Sequence, residues 1–136
     1  TVFGGDQLRP NLHIQDYADL CKALLSEEKS KVANKIFNCG YENMSIMDIA
    51  KTVKKVVEEI FPEKGDIKIV VTDSDDPRSY HISSEKIKNE LNFIPKYSVE
   101  DAIRDLCESF KTGLLPNSFD DDKYFNVRTM KKLKVH

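Results

Sequence analysis

The chain has 136 residues, the length of one ordinary domain, and its 40% hydrophobic and 32% charged residues are typical of a globular protein rather than a disordered or fibrous one. Its 21 basic and 23 acidic residues give a net charge of −2, so the overall electrostatic field favours neither nucleic acid nor an anionic membrane surface. We therefore expect no nucleic acid and no membrane as partners.

Short features narrow the class of protein further. The longest strongly apolar run, IKIVV at 67–71, is too short to span a bilayer, and the initial segment TVFGGDQLRP lacks the charged flank and apolar centre of a signal peptide. The three cysteines show no C-x-x-C spacing, which indicates reduced thiols and a cytoplasmic protein. The three histidines are scattered, so we expect no metal site.

The first elements in the chain are an extended segment and an amphipathic helix. The alternating NLHIQ at 11–15 is expected to be extended. Asp16 is a suitable N-cap for a helix whose apolar residues recur at helical spacing to about Ser26. A polar loop follows, and KIFNCG at 35–40 is predicted to be a short strand that its glycine ends.

The next helix has the clearest start signal in the sequence. Ser45 and Asp48 match a capping box in which aspartate replaces the usual glutamate, and Pro62 ends the helix. β-Branched residues then predict a strand, DIKIVVT, at 66–72.

The second half contains two helices and an arm. Aspartate, serine and proline predict a loop at 73–83, and a short helix is expected at 83–93. Ser98 caps a last helix that buries an apolar face and that ends where Gly113 supplies a left-handed cap. That face consists of Val99, Ala102, Ile103, Leu106 and Phe110. Residues 114–136 are predicted to be an irregular arm with a basic end.

Short strands that alternate with three main helices indicate the α/β fold class. The predicted strands would need a sheet or a partner to cover their edges, and no further segment of suitable length remains in the chain. We therefore expect the 136 residues to be part of something larger.

Two arginines are the candidate binding residues. Arg9 follows the flexible GGDQ turn and precedes Pro10, which restricts it to an extended backbone, and Arg78 follows Pro77 in the predicted loop. A planar, permanently charged guanidinium suits phosphate or carboxylate recognition. Two such groups would clamp a diphosphate if the fold brings them together.

Plainer roles stay open for the same residues. Arg9 could form a surface salt bridge, and Arg78 could pair with Asp75 or Asp76, at little gain in stability. A lone histidine such as His13 is more often part of a core than of a site.

The sequence shows no recognisable catalytic apparatus. It contains no G-x-G-x-x-G, no P-loop, no G-x-S-x-G and no Tyr-x-x-x-Lys. The three aspartates at 120–122 are interpreted as a solvated turn rather than a metal cluster. We therefore predict no catalytic, cofactor-binding or metal-binding residue in this chain.

The order and spacing of three segments, at 4–20, 36–53 and 78–113, give a resemblance to a known family. The strongest parts are R-x-x-x-H-x-x-D-x-A from Arg9 to Ala18 and S-x-K-I-x-x-E-L-x-F-x-P from Ser84 to Pro95. Over about residues 1–113 the chain resembles the C-terminal part of extended short-chain dehydrogenases/reductases (SDRs), the NAD-dependent epimerases and dehydratases of nucleotide sugars.

The resemblance implies roles for particular residues. It implies that Arg9 contacts the substrate diphosphate and that Arg78 joins it, although the Arg-Pro-Gly setting of many members is absent here. It further implies that Asp16 is a helix cap and that His13 organises a loop, neither of them catalytic. Residues 1–113 would form the substrate-binding C-terminal domain, and 114–136 the arm.

The resemblance also implies what lies outside this sequence. Family members bind NAD or NADP through an N-terminal Rossmann half, which carries the catalytic Tyr-x-x-x-Lys pair, and they are commonly homodimers. We expect this chain to lack that half, to have it as a partner, and to be inactive alone. The alternatives are a standalone α/β binding or interaction module without catalysis, and a reductase or decarboxylase of the same superfamily.

Overall fold

A computed structural model describes residues 1–76 and 78–134, which form short strands and six helices. The strands are β1 (Val2–Phe3), β2 (Leu8–Asn11), β3 (Glu42–Ser45) and β4 (Val71–Thr72). The helices are α1 (Ile14–Ser26), α2 (Lys29–Val32), α3 (Ile46–Ile60), α4 (Glu85–Leu91), α5 (Val99–Lys111) and α6 (Asn126–Lys132), with 3-10 turns at Pro62–Lys64 and Asp122–Tyr124. The predicted α/β class is confirmed.

Contacts divide the chain into two compact units. The first comprises Thr1–Asp105 and the second begins at Leu106, within α5. The predicted boundary after residue 113 is a functional division and stays a prediction.

The strands of the first unit pair in two short ladders. β1 runs parallel to β4, with Val2 opposite Val71, and β2 runs antiparallel to β3, with Arg9 opposite Met44. The loop between β1 and β2 therefore connects the two ladders. That loop is the glycine-rich segment in front of Arg9.

The predicted strand at 35–40 is wrong. These residues run in irregular backbone, and the strand of this region is β3, two residues after Gly40. The Ser84 hydroxyl accepts from the Gly40 N–H (2.8 Å) and donates to the Gly40 carbonyl (2.9 Å), which occupies the groups that a ladder would use. Pairing begins only at Tyr41, whose N–H donates to the Asn11 carbonyl.

The strand predicted at 66–72 is shorter than expected. Only Val71–Thr72 is a strand, because its partner β1 has two residues and because side chains take the backbone groups of Ile67. The Ile67 N–H donates to Glu58 (2.6 Å), and its carbonyl accepts from Lys54 (2.6 Å).

Four helix signals of the sequence are confirmed. The Ser45 hydroxyl accepts from the Asp48 N–H (3.0 Å) and donates to the Asp48 carboxylate (2.7 Å), and α3 ends before Pro62 as predicted. Ser98 makes the same box with Asp101 in front of α5. Gly113 has φ +74°, and the following N–H donates to the Ser109 carbonyl, which completes a Schellman motif.

The apolar faces are buried less completely than the helical periodicity predicts. Val2, Leu20, Val56, Ile87 and Cys107 are buried. On α1, however, Ile14, Tyr17 and Leu25 are more than half exposed, and the predicted inward face of α5 leaves Leu106 and Phe110 52% and 44% exposed. Periodicity identifies an apolar face but does not identify what covers it.

The arm at 114–136 was expected to be irregular, and this expectation is wrong for its described residues. It contains the Asp122–Tyr124 turn and α6. The Asp121 carboxylate accepts from the Lys123 N–H (3.0 Å) and caps the turn, while the Thr129 hydroxyl donates to the Asp122 carbonyl and ties α6 to it. The acidic run at 120–122 is thus a capped turn.

Candidate anion-binding site around Arg9 and Arg78

Arg9 lies in β2 rather than in a loop, which fixes its backbone in the ladder with β3. Its Nη1 donates to the carbonyl of Leu8 (2.9 Å) and to that of Arg78 (2.6 Å). Nη2 lies 3.9 Å from the Asp76 carboxylate. Two backbone acceptors thus orient this guanidinium, and its side chain is 27% exposed.

Arg78 makes the ion pair that the sequence left open as an alternative. Its Nε and Nη2 donate to the two Asp76 oxygens at 2.6 and 2.7 Å, and its N–H donates to the same carboxylate (3.2 Å). Hydrogen bonds from Arg78, followed by its positive charge, lower the pKa of Asp76 to about 2. Pro77, which was expected to stiffen Arg78, lies outside the described residues.

Tyr80 brings the two arginines together, and the sequence analysis did not identify it. The Tyr80 N–H donates to the Leu8 carbonyl (3.0 Å), and the Ser79 hydroxyl accepts from the Leu8 N–H (2.9 Å), so the 78–80 segment lies beside β2. The Tyr80 ring lies 5.3 Å from the Arg9 guanidinium carbon and 6.0 Å from that of Arg78. The sequence signal that could have identified Tyr80 is its place two positions after Arg78, because an aromatic ring attracts a nearby guanidinium group.

Gln7 is the second residue that the sequence analysis missed. It is buried, its side-chain oxygen accepts from the Gly5 N–H (2.6 Å), and its amide nitrogen donates to the carbonyls of Phe3 (3.1 Å) and Asp76 (3.3 Å). Gly4 has φ +76°, and a Cβ there would come within 2.4 Å of the Gln7 amide. Glycine is therefore required at this position for the turn that precedes Arg9.

Two cavities adjoin these residues. The lining of a cavity of about 390 Å³ includes the polar residues Arg9, Asp76 and Ser74 and the apolar residues Phe3, Ile46, Ile49 and Ala50. A larger one, about 490 Å³, shares Gln7 and Ser74 with it, but its described lining includes Asp6 and Asp73 and no basic side chain. Of the two cavities, the smaller one has a basic side chain, that of Arg9, in its described lining.

Comparison with curated proteins gives one group of relatives. The chain is 30% identical over 113 residues to the dTDP-glucose 4,6-dehydratase of Shigella flexneri, a match that covers 79% of this chain and 30% of that protein. The dTDP-glucose 4,6-dehydratase 1 of Escherichia coli K12 is also 30% identical over 113 residues. No family model matches the chain.

Solved structures share the fold. The chain aligns with the UDP-glucose 4-epimerase of Thermotoga maritima, solved with UDP-glucose, at a TM-score of 0.64 and 20% identity, over 84% of this chain and 35% of that one. It aligns with WbmF of Bordetella bronchiseptica, solved with NAD+ and UDP, at a TM-score of 0.64 and 20% identity, over 93% of this chain and 35% of that one. The chain matches the C-terminal part of extended SDRs.

The match confirms the resemblance that the sequence motifs indicated. It also confirms the fold class, a C-terminal part of an extended SDR with short strands and helices. The chain spans about a third of the length of the SDR relatives it matches. The activity, substrates and partners of a whole SDR enzyme are therefore matters for proposal.

His13 and Asp16 exchange the roles that the SDR resemblance implied. His13 caps α1, because its Nδ1 accepts from the Gln15 N–H (3.1 Å). Asp16, predicted to be the cap, is 1% exposed, and its carboxylate accepts from the N–H groups of Lys96 (3.0 Å) and Tyr97 (2.9 Å). Asp16 therefore organises the loop in front of α5, because a carboxylate three residues into the helix points back toward that loop.

The remaining site predictions concern metals and membranes. Across residues 1–76 and 78–134, no group of three or more His, Cys, Asp or Glu side chains could hold a metal ion. None of the helices in the described chain is both long enough and apolar enough to cross a membrane.

Proposed function

We propose that this chain is the substrate-binding portion of an NAD(P)-dependent nucleotide-sugar epimerase or dehydratase, in which Arg9 and Arg78 hold the nucleotide diphosphate. The observation that carries the proposal is the placement of two guanidinium groups on one Tyr80 ring, with Arg9 lining a cavity. The 30% identity to dTDP-glucose 4,6-dehydratases supports it.

The geometry of the cavity suits a ligand with charged and uncharged parts. Arg9 is oriented before any ligand arrives, since backbone carbonyls hold its Nη1, so little side-chain freedom is lost on binding. The diphosphate would accept hydrogen bonds from the guanidinium groups. Apolar lining residues such as Phe3 and Ile46 would contact the uncharged part of the nucleotide sugar.

The residues present do not fit a nicotinamide dinucleotide. The glycine turn at Gly4 and Gly5 follows strand β1, but it leads into strand β2 and not into a helix. It therefore lacks the helix N-terminus that binds a dinucleotide pyrophosphate. We assign NAD or NADP, and the catalytic tyrosine and lysine, to an N-terminal Rossmann half outside this sequence.

The other parts of the proposal follow from this assignment. This chain binds and orients the diphosphate, so the sugar is presented to groups that it does not itself supply. Residues 1–113 form the substrate-binding domain, and the parent protein is a cytoplasmic homodimer. Cys21 and Cys39 form no disulfide bond, which supports a cytoplasmic location.

The test is calorimetric titration of the full-length protein with UDP-, dTDP-, GDP- and CDP-sugars. One nucleotide class should bind, and Arg9→Ala should weaken its binding by about 1.5–3 kcal/mol, the range for hydrogen bonds to charged groups. Arg128→Ala, on α6 with its guanidinium over the Phe125 ring, is the matched control and should bind normally.

Two results would count against the proposal. Equal binding by native protein and Arg9→Ala would remove Arg9 from the site. No binding of any nucleotide sugar would favour the alternative, a standalone α/β interaction module, for which the exposed apolar residues of α1 would be the contact surface.

A further inference from the structure

The Asp76 carboxylate occupies the donors that a diphosphate would need. It accepts two hydrogen bonds from the planar fork of Arg78, at 2.6 and 2.7 Å, and it lies 3.9 Å from Nη2 of Arg9. Carboxylate and phosphate both present paired oxygens to such a fork. The side chain of Asp76 therefore stands where two phosphate oxygens would bind.

We propose that Asp76 is an internal competitor that sets the affinity of this site for diphosphates. Its side chain pairs with Arg78 and lies near Arg9 while the site is free, and it turns away when a diphosphate binds. The inference rests on the proposed function of Arg9 and Arg78, and it adds a residue that controls affinity and selectivity.

The ion pair is built so that it can open without unfolding its loop. The side chains of Asp76 and Arg78 are 43% and 69% exposed, and exposed ion pairs are weak. The Asp76 backbone is held separately: its carbonyl accepts from Gln7 and Ser74 (both 3.3 Å), and its N–H donates to the Ser74 hydroxyl (3.1 Å). Rotation of the carboxylate leaves these bonds in place and breaks, besides the two side-chain bonds to Arg78, only the 3.2 Å bond from the Arg78 N–H.

The charges at the site favour an anion that carries more negative charge than one carboxylate. Two guanidinium groups approach one Tyr80 ring, and the single negative charge of Asp76 compensates only one of them. A nucleotide-sugar diphosphate carries two negative charges and can replace Asp76 with a gain in attraction. A ligand with one negative charge gains nothing by the exchange, so Asp76 selects for the diphosphate.

The test compares Asp76→Asn with Asp75→Asn in the full-length protein. Asp75 is adjacent and carries the same charge, but it makes no ion pair with any residue in the described ranges. Calorimetry with inorganic pyrophosphate and with dTDP should show binding about three- to tenfold tighter for Asp76→Asn, as loss of an exposed competing ion pair predicts. Asp75→Asn should change affinity less than about twofold.

A double variant shows whether Asp76 acts through the arginine. In an Arg78→Ala background, Asp76→Asn should give a markedly smaller gain, because the pair that it releases is already broken. A gain of undiminished size in that background would overturn the proposal. Circular dichroism of each variant verifies that the fold is retained.

The outcomes separate this inference from the proposed function. Nucleotide binding that Asp76→Asn leaves unchanged would support the proposed function and overturn the role of Asp76. A different result would be that Asp76→Asn binds pyrophosphate more tightly while no variant binds a nucleotide. That result would overturn the proposed function and support the role of Asp76 as a competitor. Equal gains in both asparagine variants, or no pyrophosphate bound by any variant, would overturn the competitor.

Discussion

At the scale of single residues, the candidate site places one carboxylate, that of Asp76, close to the guanidinium groups of two arginines. Arg9 is fixed by backbone carbonyls, whereas Arg78 is fixed mainly by a carboxylate that it shares with Arg9. This difference assigns the two arginines different tasks. In the proposed site, Arg9 would bind an anion directly, and Arg78 would bind it only after Asp76 is displaced.

The pairing of Asp76 has a consequence for its protonation. Arg78 lowers the pKa of Asp76 from 3.8 to about 2, so the pair stabilises the folded state above the unfolded pKa and this contribution is lost as the pH falls toward 2. Carbon-detected NMR should give a titration midpoint of about 2, which should rise toward 3.8 in Arg78→Ala.

The control for this titration is Arg104→Ala. The Arg104 guanidinium pairs with Glu59 and Glu100, so its loss should leave the midpoint of Asp76 unchanged. A midpoint near the ordinary value in the native protein would show that Arg78 and Asp76 are not paired in solution.

At the scale of elements, side chains near helix starts fix both the helices and the loops between them. Ser45 and Ser98 each form a box with the aspartate three residues later. Asp16 acts over a longer range: it lies in the first turn of α1, and it binds the backbone 80 residues away in front of α5.

Asp16→Asn tests that link. Asparagine keeps the size of the side chain, but its amide NH2 cannot accept from Lys96 or Tyr97, so a buried hydrogen bond to a charged group is lost. We expect the free energy of unfolding to fall by about 1.5–3 kcal/mol in urea denaturation. Asp19→Asn, on the same helix, is the control and should change it by less than about 0.5 kcal/mol. Equal effects in the two variants would contradict the link.

At the scale of the whole molecule, one helix leaves an apolar face exposed. The chain spans about a third of its relatives, and the α1 residues Ile14, Tyr17 and Leu25 are exposed at helical spacing. An apolar stripe of this kind is typical of a helix that packs against another segment. We interpret it as a surface that the proposed Rossmann half covers.

This interpretation predicts that the 136-residue chain alone is inactive. Incubation with NAD+ and either UDP-glucose or dTDP-glucose should give no new sugar by NMR, because the sequence lacks a Tyr-x-x-x-Lys pair. The full-length protein is the positive control. Turnover by the isolated chain would contradict the assignment of the catalytic residues to another segment.

The sequence by itself determined features that depend on neighbours in the chain. The capping boxes at Ser45 and Ser98 and the ends at Pro62 and Gly113 were predicted, because each is set by residues a few positions apart. The resemblance to extended SDRs was predicted from the order and spacing of segments along the chain. Arg9 and Arg78 were identified as candidates by the same local chemistry, and their role stays a prediction.

Only the tertiary structure decided which groups meet. The pairing of β2 with β3, the contact between Arg9 and the carbonyl of Arg78, and the bonds from Asp16 to the loop before α5 join residues about 30 to 80 positions apart. Local patterns do not encode such partners, because a polar group is satisfied equally well by any acceptor that the fold brings within reach. For that reason the predicted strand at 35–40 was wrong and the roles of His13 and Asp16 were exchanged.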